Sequence, residues 1–138
     1  MKALSIRQPW ASLIISGAKD IENRAWNTSF RGRILVHAGK VRPTDALLAT
    51  VRESYGVVIP DNLPLGGIIG SVDVVEVVTE HPSRWFNGPY GFVLSNPRQM
   101  TLVPYSGRLK LFDIDLPPTT DFSPLGADSG AVSPGDNT

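Results

Sequence analysis

The sequence predicts an α+β fold, a small and partly closed β barrel of about six strands with two helices covering an opening. Three observations carry that prediction. The chain has 138 residues, 41% of them hydrophobic, which supplies one compact domain with a single core and is too short for two ordinary ones. Helical periodicity is confined to two short segments in the first half of the chain, whereas strand-like alternation and β-branched runs recur up to about residue 116. About six short strands with two helices inserted early suit a barrel whose mouth the helices close.

Ala3–Ile6 reads as the first short strand. Gln8-Pro9-Trp10 then opens a helix, because proline at the first helical position has no amide to waste and a preset φ. That helix ends near Gly17, and Trp10, Leu13, Ile14 and Gly17 follow one buried face, which assigns Trp10 to the core. Strands follow at Asp20–Trp26 and Arg33–Ala38. From Pro43 to Ser54 the pattern Ala46, Leu47, Thr50, Val51, Ser54 predicts a second helix with Thr44 as its N-cap. The Tyr55–Leu65 connection has no clear pattern. Gly66-Gly67 launches the longest β pattern, Ile68–Thr79, rich in β-branched residues and apolar on both faces, hence central. After a loop at Glu80–Pro89, strands are expected at Tyr90–Ser95, Gln99–Val103 and Leu109–Leu116, separated by Asn96-Pro97 and Tyr105-Ser106-Gly107 turns. Beyond Pro117 the chain turns to Pro, Ser, Thr, Gly and Asp, which bury too little surface to offset the entropy of ordering. The expected organisation is therefore a domain at 1–116 and a disordered tail at 117–138.

Composition narrows the function classes. There is no cysteine, so disulfides and thiolate metal sites are excluded, and His37 and His81 alone leave a zinc site dependent on carboxylates. No apolar run approaches the roughly 20 residues that span a bilayer, and Arg7 arrives too soon for a signal-peptide core. A soluble, cytoplasmic, monomeric protein with no membrane partner is the expectation. Formal net charge is zero, yet residues 1–44 hold eight Lys or Arg against Asp20 and Glu22. Between Asn23 and Pro43 lie Arg24, Arg31, Arg33, Lys40 and Arg42, with His37 among them and no acid. Such a cluster attracts anions if it shares a face, and does nothing if its members scatter.

The candidate site begins at Gly17-Ala18-Lys19-Asp20-Ile21-Glu22-Asn23-Arg24, where a helix gives way to a strand. Strand alternation sends Asp20, Glu22, Arg24 and Trp26 to one face. Arg24 offers a flat fork of donors, Glu22 accepts hydrogen bonds or protons, and Trp26 supplies a stacking surface. The competing reading is a solvated edge strand with a surface ion pair worth about 0–1 kcal/mol. In the central strand, Glu76 falls on the apolar face of Ile68, Gly70, Val72, Val74 and Val78, so it needs a cation such as Lys19 or Arg24, or else desolvation raises its pKa. A framework ion pair or a strand end reaching water would serve equally. His37, on the face of Arg33 and Leu35, fits a proton shuttle, a base contact or a framework histidine. Trp85-Phe86-Asn87-Gly88-Pro89-Tyr90-Gly91-Phe92 concentrates aromatics on which an unpaired base can stack, with Phe92 packing inward.

Together these motifs resemble an ASCH domain, a member of the PUA-like superfamily of small β barrels linked to RNA. The matching segments are Ala3-Leu4-Ser5-Ile6-Arg7-Gln8-Pro9-Trp10-Ala11, Gly17 to Arg24, Arg31-Gly32-Arg33-Ile34-Leu35-Val36-His37-Ala38, Gly70-Ser71-Val72-Asp73-Val74-Val75-Glu76 and Gly88-Pro89-Tyr90-Gly91-Phe92-Val93-Leu94. They run in order over roughly residues 1–115. The resemblance implies a PUA-like barrel whose cleft lies between the Lys19–Arg24 segment, the central strand and the Tyr90 region, with RNA or a nucleotide as ligand. Some ASCH proteins resemble small amidohydrolases acting on acetylated cytidine, in which a lysine, a threonine and a glutamate do the chemistry; others are ribonucleases, binding modules or coactivators. By position the lysine falls on Lys19 and the glutamate on Glu76, while Glu22 stands where the threonine nucleophile would be. A threonine-dependent route therefore lacks its attacking atom.

The leading expectation is an RNA- or nucleotide-binding domain. Arg24, Arg31, Arg33 and Lys40 would meet phosphate, Trp26 and Trp85 would stack on bases, Glu22 or Glu76 would read a base edge, and His37 and Tyr90 would add contacts. The rival is a hydrolase with Lys19 as electrostatic or acid group and Glu22 and Glu76 as base and orienter. No cofactor is expected, and Mg²⁺ or Mn²⁺ enters only if that carboxylate pair cleaves phosphodiesters.

Overall fold

The computed structural model describes residues 1–115; the tail expected at 117–138 lies outside the described residues. The elements are β1 (Lys2–Ile6), α1 (Trp10–Ile15), β2 (Ile21–Arg24), β3 (Gly32–Ala38), α2 (Asp45–Tyr55), β4 (Gly67–Val78), β5 (Tyr90–Pro104) and β6 (Leu111–Asp113). All six strands form one sheet in the order β2-β5-β4-β3-β1-β6. Only β1 and β3 pair in parallel; the other ladders are antiparallel.

The sheet curls into a half-barrel whose open side is spanned by side chains, with no ladder between β2 and β6. Arg24 at the end of β2 donates from Nη2 to the Ser5 carbonyl on β1 at 2.7 Å, and Lys110 beside β6 sits 5.8 Å from the centre of the Trp26 ring. The inside of the curl is filled by Leu4, Ile6, Ile34, Val36, Val72, Val74 and Phe92, with Ala11, Ile14 and Ile15 of α1 packed on the same cluster. Each such side chain, fully buried, contributes roughly 1.5–3 kcal/mol, which is the main force holding so short a helix in place. A second cluster, Leu13, Ile21, Leu48, Val51, Ile59, Leu63 and Trp85, joins α1 to α2 and to the loop before β5.

Local chemistry accounts for the helix ends. In α1, which starts one residue after Pro9, Gln8 substitutes for a cap: its Oε1 accepts from Ser12 N at 3.0 Å while Nε2 donates to the Pro64 carbonyl at 2.8 Å. In α2, Thr44 is the N-cap as its sequence predicts, its Oγ1 accepting from Leu47 N at 3.1 Å.

The second half of the sheet departs from the sequence expectation. Two strands separated at Asn96-Pro97 are instead one long strand, β5, and the turn residues are absorbed as a bulge. Asn96 takes φ 53°, and Asn96 and Pro97 lie opposite Val72 alone, between the pairs Asp73↔Ser95 and Ser71↔Arg98. Proline is tolerated there because a bulged residue owes no ladder hydrogen bond.

Candidate functional site

A cleft of about 360 Å³ opens between the start of α1, the segment entering β2, the end of α2 and the loop before β5. Its lining residues are Trp10, Lys19, Glu22, Asn23, Tyr55, Arg84, Trp85, Phe86 and Asn87. Glu22 is the centre of its polar side. One carboxylate oxygen, Oε1, accepts from Lys19 Nζ at 3.1 Å; the other, Oε2, accepts from Arg24 Nε at 3.1 Å and lies 3.0 Å from Arg24 Nη2. Lys19 and Glu22 are 5% and 8% exposed, so this is a desolvated ion triad and not a surface pair. Lys19 also donates to the Ile21 carbonyl, and its ammonium lies 6.0 Å from the Trp10 ring centre and 5.9 Å from that of Trp85. Two of its three N–H donors are thus used by described residues, and Lys19 itself lines the cleft.

Aromatic residues build the opposing wall. Tyr55 stacks on Trp85 with centroids 4.0 Å apart and planes at 17°, and Trp10 meets Trp85 edge-on at 6.3 Å. Trp85 is only 6% exposed, and its Nε1 donates to the Ala18 carbonyl at 2.9 Å. The exposed Arg84 guanidinium stands 5.5 Å from Tyr55 and 5.2 Å from Trp85, at the rim. Asn23 fixes the loop that carries this wall. Its Nδ2 donates to the Trp85 carbonyl at 2.9 Å and its Oδ1 accepts from Asn87 N and Gly88 N at 2.8 and 3.0 Å. Asp20 adds a fourth tie, accepting from Ser83 Oγ at 2.7 Å.

Of the residues singled out in the sequence, Lys19, Glu22 and Arg24 do converge. Glu76 does not join them. Val75 is an extra residue between the pairs Val74↔Leu94 and Glu76↔Val93, so the bulge turns Val77 inward and leaves Glu76 exposed. Glu22 pairs through Phe92 with Val77, whereas Glu76 pairs with Val93, which places the two carboxylates on opposite pleat faces. Among the described residues no group of three or more His, Asp or Glu side chains is placed to hold a metal ion.

The aromatic and basic expectations also divide. Trp85 gives its face to Tyr55 and becomes core. Trp26 packs edge-on against Phe92 at 5.2 Å and helps close the curl. Arg33 is engaged by Asp73 at 3.1 Å, Ser71 Oγ at 3.2 Å and the Asn96 carbonyl at 2.8 Å, which braces the bulge. Arg31, although exposed, donates to the carbonyls of Thr28 and Phe30. Tyr90, the first residue of β5, pairs with Arg24 and is not among the residues lining the aromatic cleft. His37 and Lys40 come together, but in a different cavity. The residues that sequence reasoning missed are Asn23, Tyr55 and Arg84. An arginine beside Trp85 in a loop was a visible signal; the Tyr55 contact joins residues thirty apart, across the unpatterned Tyr55–Leu65 connection and the longest β pattern, and left none.

A curled six-stranded sheet with two covering helices defines the class of small, barrel-like α+β domains. The chain belongs to the ASCH domain family, whose model matches residues 4–110. It is 29% identical over 127 residues to Activating signal cointegrator 1 of Homo sapiens and, equally, to that of Mus musculus, matching 81% of this chain and 22% of each relative. The chain therefore spans about a fifth of the length of those relatives. In fold it is similar to the crystal structure of a mutant ZmASCH protein from Zymomonas mobilis, with a TM-score of 0.50 and 14% identity over 83% of this chain and 89% of that one.

Proposed function

We propose that this domain binds RNA or a nucleotide, with one unpaired base entering the cleft and the adjoining phosphate meeting Arg84. The observation that carries this reading is the buried Lys19–Glu22 pair, braced from outside the cleft by Arg24, lying in one hollow with the Tyr55–Trp85 stack. Lys19 supplies a donor and Glu22 an acceptor for the polar edge of a base, while Tyr55 and Phe86 supply apolar surface for its faces. Two cations, Lys19 and Arg84, against the one carboxylate of Glu22 line the cleft and favour an anionic ligand even on a chain of zero net charge. Phosphate contacts would position the strand and the cleft would select the base.

A hydrolase reading on a modified nucleoside rests on the same Lys19–Glu22 pair and is the weaker one. Both oxygens of Glu22 are already held by cations, and Glu76 lies elsewhere. Screening acylated cytidines and a generic RNA with and without EDTA tests it, since turnover lost in Lys19→Ala would move the assignment toward an enzyme.

The binding reading is tested by titrating short single-stranded RNA at several salt concentrations. Affinity is expected to fall with salt, and Arg84→Ala, at an exposed position, to reduce the slope of log K against log salt by about 0.7. Tyr55→Ala is expected to cost about 1–3 kcal/mol of binding if a base stacks there. Undetectable or salt-independent binding overturns the proposal.

A further inference from the structure

A second cavity, of about 640 Å³, is lined by Ser5, His37, Gly39, Lys40, Tyr105 and Gly107 among others, and shares no lining residue with the aromatic cleft. Ser5 and His37 are register partners on the parallel strands β1 and β3, so their side chains leave the sheet on one face. Ser5 Oγ lies 2.6 Å from His37 Nδ1, and His37 Nε2 lies 2.6 Å from the Tyr105 carbonyl oxygen. A carbonyl can only accept, so Nε2 carries the ring proton; the tautomer is assigned from that partner. In the neutral ring Nδ1 is then the lone-pair nitrogen, and the Ser5 hydroxyl donates to it.

A hydroxyl whose proton already points at an imidazole, with the imidazole oriented by a third group, has the geometry of an activated nucleophile. His37 is 3% exposed, while Ser5 is half-buried and reaches the cavity. Gly107 lies against the pair, and only its lack of a side chain allows so close an approach. A Cβ there would overlap Ser5 Oγ and stand 2.8 Å from His37 Cε1. Lys40 places a cation on the cavity wall, which favours a donor carrying negative charge.

We propose that Ser5 is a nucleophilic acyl acceptor, activated by His37 and open to small anionic acyl donors of the acyl phosphate class. Ser5 Oγ attacks the acyl carbon and forms the new C–O bond while its proton passes to His37 Nδ1. The bond from the acyl carbon to the phosphate oxygen breaks, phosphate leaves with the electron pair, and His37 hands it the proton. The products are an acyl-Ser5 ester and inorganic phosphate, with nothing oxidised or reduced.

The test is to incubate the full chain with acetyl phosphate and locate acetyl groups by peptide mass mapping over time. The expected result is an acetyl ester on Ser5 that is absent in Ser5→Ala, forms about 100-fold more slowly in His37→Gln, and is blocked by Gly107→Ala. If His37→Gln does not fold, wild-type chain in urea replaces it, since unfolding parts the hydroxyl from its base; there Ser5 should react at the background rate of other serines. No Ser5 ester on folded wild-type chain, or equal Ser5 rates in folded and unfolded chain, overturns the proposal. So does labelling confined to amines and unchanged by Ser5→Ala.

Discussion

Removing the Glu22 carboxylate would leave Lys19, 5% exposed, with one backbone carbonyl and two aromatic rings for company. Breaking a buried ion pair from one side costs about 3–5 kcal/mol, because the surviving charge stays desolvated. Glu22→Leu should lose that much stability in urea unfolding. Lys19→Met should lose less, since Glu22 keeps Arg24 at 3.0 Å. The double variant Lys19→Met/Glu22→Leu should be more stable than Glu22→Leu alone, because removing the second charge relieves the first; strictly additive losses in that cycle would show the two side chains to be uncoupled. At this scale the sequence was partly legible. Strand alternation placed Glu22 and Arg24 together, since neighbours two apart on one strand need no tertiary information. The burial of Trp85 was not legible, because it depends on Tyr55 and Ala18 arriving from elsewhere in the chain.

β4 and β5 account for most of what was misread among the elements. Their existence was plain from the β-branched run and the aromatic segment, but their register shifts at three places, between Ile68 and Gly70, Ser71 and Asp73, and Val74 and Glu76. A bulge inverts the inside–outside parity of everything after it, and period-two counting has no means to detect one. That is why Glu76, assigned to the apolar face by parity, lies exposed while Val77 packs on the core. The same closeness of the two strands makes Gly70 irreplaceable on steric grounds. A Cβ there would overlap the Arg98 carbonyl and stand 2.7 Å from Ile15 Cδ1, so backbone on one side and a core helix on the other both resist movement. Gly70→Ala should therefore destabilise by about 1–3 kcal/mol in denaturant melts. The Ile15→Val/Gly70→Ala double variant should regain part of that loss if overpacking is the cause. No recovery would assign the cost to the Arg98 backbone alone.

For the molecule as a whole, the curl of the sheet and the length of its edges bear on the state of association. Curvature is a collective property of twist and bulges, so the sequence indicated a partly closed barrel only through strand number and length. The two edge strands are the shortest in the sheet, four residues in β2 and three in β6. Short edges offer few unpaired backbone groups to another copy. β2 is also drawn toward β1 by Arg24, whose Nη2 spends a donor on the Ser5 carbonyl at 2.7 Å, which leaves still less of that edge facing outward. Among the described residues the large apolar side chains that stay exposed are Met1, Val41, Leu47, Val58, Val75, Leu102 and Leu109; Val58 and Leu102 line one groove, and the others come from separate segments. These features predict a monomer. Light scattering on the size-excluded protein should give a mass near 14.9 kDa that does not change over a wide concentration range. A mass that rises with concentration in wild type would show that the closure leaves an edge or face to pair. If instead only Arg24→Ala associates, the Arg24–Ser5 tie is what keeps the β2 edge from a second chain.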